Sequence, residues 1–142
     1  MSAEKPVGQT HDAGFQMGVR KTVPGNTQDI WDFLFSEEGL GIWLGEIDPD
    51  ELVIRKEFSL SNDVTGKITV FEPYSHLRMS WKKKGWINTT RLQIRVIGSG
   101  EKRTVISFHQ EMLTGPEQRE QMKAYWENTL SSIKSAIQSR FR

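Results

Sequence analysis

The chain has 142 residues with 19 basic against 18 acidic side chains, a near balance that gives no electrostatic reason to expect nucleic acid. It has no cysteine, which excludes disulfides and thiolate metal sites. No apolar run approaches the roughly 18 residues of a membrane span, and the polar first dozen residues do not read as a signal peptide, so a single cytoplasmic domain is expected.

Residues 1–13 read as a disordered tail, leaving 14–142 as the folded domain. Phe15 to Val23 alternates, with Phe15, Met17 and Val19 on one face and Gln16, Gly18 and Arg20 on the other, which predicts a half-buried strand. Pro24-Gly25 marks a turn, and Asn26 or Thr27 can cap the short helix whose apolar positions are Ile30, Trp31, Leu34 and Phe35. A second short helix over Glu37 to Leu44 carries Leu40, Trp43 and Leu44 inward and ends at Gly45.

From there the period falls to two. Strands are predicted over Leu52 to Phe58, Thr65 to Phe71 (through Ile68 and Val70), and a segment carrying Leu77, Met79 and Trp81. The lysine run Lys82-Lys83-Lys84 and Gly85 lead into a loop. A strand over Thr89 to Ile97 follows, with Leu92, Ile94 and Val96 on one face. The turn Gly98-Ser99-Gly100 then leads to a last strand over Thr104 to Met112. Short connections favour an antiparallel meander.

The chain closes on a long amphipathic helix, Glu117 to about Phe141. Met122, Trp126, Leu130, Ile133 and Ile137 recur at helical spacing on one face. Pro116 suits the first helical position and Thr114 the cap. A helix of roughly 24 residues, about 36 Å long, needs a surface of its own length, and only the sheet supplies one. The order β-α-α-β-β-β-β-β-α is thus an α+β fold in which a helix laid across a curved sheet can enclose a cavity.

Several stretches resemble a known family. Ile30-Trp31-Asp32-Phe33-Leu34 followed by Gly41-Ile42-Trp43-Leu44-Gly45 resembles the opening of START-like (SRPBCC, Bet v 1-like) domains. Gly66-Lys67-Ile68-Thr69-Val70-Phe71-Glu72-Pro73, running on to His76-Leu77-Arg78-Met79-Ser80-Trp81, resembles their central hairpin. Tyr125-Trp126 with Leu130, Ile133 and Ile137 resembles their terminal helix. The subgroup most similar to it comprises bacterial homologues of the C-terminal domain of the activator of the 90-kDa heat-shock protein ATPase. The resemblance implies a helix-grip fold with an apolar cavity between sheet and last helix. It also implies a lipid or small-molecule binder, or a co-chaperone acting in the stress response. Many relatives carry T-H-x-G at the end of the last strand, where this chain reads Phe108-His109-Gln110-Glu111-Met112. Either His109 or Gln110 takes that histidine's place. Gln110 inward is favoured because it keeps Ile106 and Phe108 on the apolar face.

Residues expected to line the cavity are Met17, Val19, Phe58, Ile68, Val70, Met79, Trp81, Leu92, Ile94, Phe108 and Gln110 from the sheet. Trp31 and Trp43 from the short helices, and Met122, Tyr125, Trp126, Leu130 and Ile133 from the long one, complete the set. Tyr125, Gln110 and the indole N–H of Trp81 or Trp126 are the groups placed to orient a ligand oxygen, and Trp86 lies where an entrance would be. No catalytic triad elbow, phosphate loop or paired metal-ligand spacing occurs, and His11, His76 and His109 fall on separate segments. The expectation is a non-catalytic domain with no cofactor and no metal that holds a small lipophilic or aromatic molecule. A module docking on a 90-kDa heat-shock chaperone, or a cyclase- or dehydratase-type enzyme using the same cavity, are the alternatives.

Overall fold

One antiparallel sheet carries every strand. The structure, a computed structural model, describes residues 9–10 and 14–141. The strands are β1 (Gln9–Thr10), β2 (Gly14–Pro24), β3 (Glu57–Ser59), β4 (Val64–Glu72), β5 (His76–Lys83), β6 (Thr90–Gly98) and β7 (Arg103–Leu113). Their spatial order is β1-β2-β7-β6-β5-β4-β3, so the chain meanders from β3 to β7 and β2 closes on β7. Of the residues read as a tail, Gln9–Thr10 pairs with Gly14 and Phe15, and the others lie outside the described residues. Bulges in β2 (between Phe15 and Met17) and in β4 (between Ile68 and Val70) bend the sheet around its inner face.

Helices α1 (Thr27–Leu34) and α2 (Glu37–Trp43) follow β2. Asn26 caps α1 by accepting the Asp29 N–H at 2.8 Å, and Ser36 caps α2 by accepting the Gly39 N–H at 3.1 Å. Helix α3 (Pro116–Arg140) runs along β2 and touches β7 and α2. Its buried stripe is Met122, Trp126, Thr129, Leu130, Ile133 and Ile137. Each apolar side chain of that size is worth about 1.5–3 kcal/mol when fully buried, far more than the propensity of the helix alone. The helix-grip arrangement implied by the resemblance is present.

Three local expectations are corrected. Gly115, rather than Thr114, occupies the N-cap of α3 and makes no side-chain cap bond. The Thr114 N–H, one residue before the cap, instead donates to Gln118 Oε1 at 2.9 Å. The predicted strand over Leu52 to Phe58 shrinks to the three residues of β3, preceded by a 3-10 turn at Pro49–Glu51. Its cause is local: Arg55 takes a left-handed φ of 68°, and Val53 and Ile54 point to solvent, so the segment cannot alternate.

The third correction concerns Val70. Residues opposite one another across a ladder share a face. Ile68 opposes the buried Met79, but past the bulge Val70 opposes the exposed Arg78 and Phe71 opposes the buried Leu77. Val70 therefore leaves the core face and Phe71 replaces it, touching the rings of Trp31 and Phe35.

Candidate functional site

Successive inward positions of the strands bring most of the expected lining together. Met17, Ile68, Met79, Leu92, Ile94 and Phe108 are buried on the inner face, and Val19 and Phe58 are half-buried beside them. Across from them α3 presents Met122, Trp126, Leu130 and Ile133, all buried, while α1 and α2 contribute Trp31 and Trp43 at the side. Tyr125, one residue off the stripe, is 38% exposed.

The space between helix and sheet is occupied by a continuous line of rings. It starts at the half-exposed Tyr74, 6.4 Å from Trp31, and continues through Phe35 (4.6 Å) and Trp43 (5.8 Å) to Phe108 (6.2 Å). From Phe108 it passes to Trp126 (4.9 Å), Trp81 (5.8 Å) and finally Trp86 (5.4 Å), in the β5–β6 loop. Tyr125 packs against both Trp81 and Trp126. These tilted and edge-to-face contacts suit the ring quadrupoles. Gly66, opposite Trp81 in the ladder, keeps this end open for the side chains above it. A Cβ there would lie 2.9 Å from the Phe58 ring and 3.1 Å from the Met79 methyl, and would also collide with the Ser80 carbonyl.

Threaded through the rings is a buried polar chain. Trp126 Nε1 donates to Gln110 Oε1 at 2.8 Å, Gln110 Nε2 donates to Thr90 Oγ1 at 2.9 Å, and the Thr90 hydroxyl donates to the Trp81 carbonyl at 2.5 Å. An indole N–H can only donate, which fixes the amide with its oxygen toward Trp126. Gln110 is fully buried and faces inward, as favoured from the sequence, whereas His109 lies on the outer face with Nε2 3.0 Å from Gln16 Oε1. That placement removes His109 from any chemistry inside the fold. The outward face is basic and polar. Arg20, Arg95 and Arg78 lie in rows with Ser107 and Gln93, and Arg91 pairs with Glu111 at 2.5 Å.

One buried polar atom stands outside the chain of bonds. Trp81 Nε1 is shielded from solvent and has no hydrogen-bond partner among the described residues. Leaving such a donor unpaired costs about 1–3 kcal/mol. Tyr125, packed against the Trp81 ring, has its phenol pKa pushed above the usual value by burial, so its hydroxyl is neutral throughout the physiological range. The sequence reading missed Thr90, although its position two residues before Leu92 on the same face was signal enough. It also missed Phe71, because a bulge leaves no mark in a period-two pattern.

No protein-family model matches the chain, and no functionally curated protein matches it. Solved structures do. CalU16 from Micromonospora echinospora is 20% identical, with 86% of this chain and 73% of that one covered and a TM-score of 0.74. DynU16, from the dynemicin biosynthetic locus, is 15% identical with a TM-score of 0.75; the match covers 87% of this chain but 47% of DynU16, so the chain spans about half of that protein. PFC0360w, an HSP90 activator from Plasmodium falciparum, is 17% identical, with 85% and 94% covered and a TM-score of 0.70. These likenesses show the helix-grip fold.

Proposed function

We propose that the chain is a binding domain for a small lipophilic or aromatic molecule, held beneath the β5–β6 loop against Trp81, Tyr125 and Trp126. The observation that supports this reading is the unpaired N–H of Trp81. It sits among aromatic faces, beside a neighbouring indole whose own N–H is satisfied. A flat apolar ligand with one acceptor oxygen, such as an aromatic ketone or quinone, would stack on the rings and accept that bond, recovering the cost of leaving it unmade. Trp86 packs on Trp81 and is only half-buried, so a ligand reaching the Trp81 N–H would enter by displacing Trp86.

Titration of intrinsic tryptophan fluorescence with a panel of lipids and aromatic carbonyl compounds tests the reading. At least one compound should quench with saturation, and Trp81→Phe should weaken that compound about tenfold by removing one hydrogen bond. A panel without a saturating ligand, or one whose ligand binds Trp81→Phe equally well, contradicts it.

A second reading, a co-chaperone-like module, draws support from the likeness to an HSP90 activator and from the basic outer sheet face. It expects capture of a 90-kDa heat-shock chaperone, a changed ATPase rate, and loss of both on Arg78→Glu with Arg95→Glu. An unchanged rate upon capture would count against it.

A further inference from the structure

The β5–β6 loop, residues 84–89, ends in an apolar tip that the fold holds out into solvent. Ile87 is 95% exposed, far more than any other large apolar side chain described. The loop does not project through slackness, because it is clamped on both shoulders. On one side the Lys84 N–H donates to the Asp63 carbonyl at 2.8 Å. On the other, Asn88 Nδ2 donates to the Met112 carbonyl at 3.0 Å and to Gln118 Oε1 at 2.9 Å. Gly85, at φ +90°, makes the turn between the first clamp and the tip.

Around the tip the chemistry is graded. Trp86, next to Ile87, is half-buried against Trp81, and Tyr125 stacks on the same indole with its own edge exposed. Met112, which takes the Asn88 bond on its carbonyl, is exposed too. Behind the tip lies a cleft of about 350 Å³ lined by Lys82, Lys83 and Lys84 with Asp63 as its single carboxylate. The loop itself carries no arginine and no acidic residue.

From this geometry we infer that the β5–β6 tip docks on an anionic lipid surface. Ile87 enters the acyl boundary, Trp86 and Tyr125 lie at headgroup depth, and the three lysines meet the lipid phosphates. An aliphatic knob backed by aromatic rings and collared by lysines matches the apolar, interfacial and charged layers of a membrane in order. Lysine serves as a mobile point charge suited to a fluid, diffuse array of phosphates, whereas recognition of a fixed carboxylate on a protein favours the planar fork of arginine. One aliphatic side chain and three lysines give weak, reversible docking rather than stable anchoring. The inference goes beyond ligand binding and does not need it, although docking here would set Trp86 against the bilayer.

Cosedimentation of the full chain with phosphatidylcholine vesicles, and with vesicles containing about one third phosphatidylglycerol, tests it. The anionic vesicles should retain about tenfold or more protein than the neutral ones at low salt, and the difference should shrink as salt screens the lysines. Ile87→Ser should weaken the anionic partition about tenfold, and Lys83→Glu with Lys84→Glu should abolish the preference. Equal retention on both vesicles, no retention on either, or an unchanged partition for Ile87→Ser overturns the inference, as does a tip that captures a protein but no vesicle. A ligand titration of Ile87→Ser without vesicles separates the two readings, because the proposed site at Trp81 should bind as before while docking is lost.

Discussion

Trp81 and Trp126 pack with ring centroids 5.8 Å apart, yet Trp126 spends its N–H on Gln110 while Trp81 has no partner for its own among the described residues. Two indoles in one core thus have opposite polar standing. Trp126→Phe leaves Gln110 Oε1 unpaired, whereas Trp81→Phe removes a donor that was already unpaired. Both lose similar packing, so Trp126→Phe should cost about 1 kcal/mol or more beyond Trp81→Phe in urea unfolding. Equal losses would mean that the Trp81 N–H is satisfied in solution.

Gln110 joins an indole donor to the Thr90 hydroxyl in the most buried part of the sheet. Gln110→Leu keeps the volume but strands the Trp126 donor, and a loss of about 1–3 kcal/mol is expected. Thr90→Val strands the Gln110 amide from the other side. Because the two share one network, the double variant should cost less than the two single losses added, which a double-mutant cycle reads directly.

Gly66 is the small residue opposite Trp81, beneath the Phe58 ring. Gly66→Ala places a methyl against the Ser80 backbone and against Phe58, so a strand shift or ring displacement follows. The expected loss is about 1–3 kcal/mol, far from the few tenths typical of an open position. A thermal melt suffices to see it, and an unchanged midpoint would show that the ladder yields without strain.

Both tyrosines respond to alkali in the same direction. Burial raises the pKa of Tyr125; the Asp32 carboxylate, first through its charge, raises that of Tyr74. A folded-state pKa raised above the unfolded value of about 10 means that the native state holds the proton longer. The associated stability is full below pH 10 and is lost as pH rises through the raised values. Tyr125→Phe should therefore flatten the fall in unfolding midpoint above pH 10. An unchanged slope would place its hydroxyl in free solvent.

Much of this architecture was legible in the sequence because burial imposes a period on each element. The stripe from Met122 to Ile137 needed a long partner, and alternation through Met79, Leu92 and Phe108 supplied it. The inward choice of Gln110 over His109 followed from register alone, since one slip would have turned Phe108 outward. Features without a periodic signature were not readable. The bulge that trades Val70 for Phe71 and the left-handed Arg55 that cuts β3 short are single-residue backbone events. The unpaired Trp81 N–H depends on where neighbouring acceptors fall in space, and a sequence does not order these. Likewise, the lysine run was visible, but the clamps that make Ile87 a fixed tip come from Asp63, Met112 and Gln118, distant in the chain.

Whether Trp81 offers its N–H to a bound molecule is read atom by atom in the indole region of a ¹H–¹⁵N spectrum. The five tryptophans give five indole signals that single Trp→Phe variants can assign. On titration with the tightest aromatic carbonyl compound from the fluorescence panel, the Trp81 signal should move downfield by the largest amount and slow its hydrogen exchange, with the Trp126 signal nearly still. A saturating ligand that moves other indoles while leaving Trp81 in place would mean that the Trp81 N–H takes no part in binding.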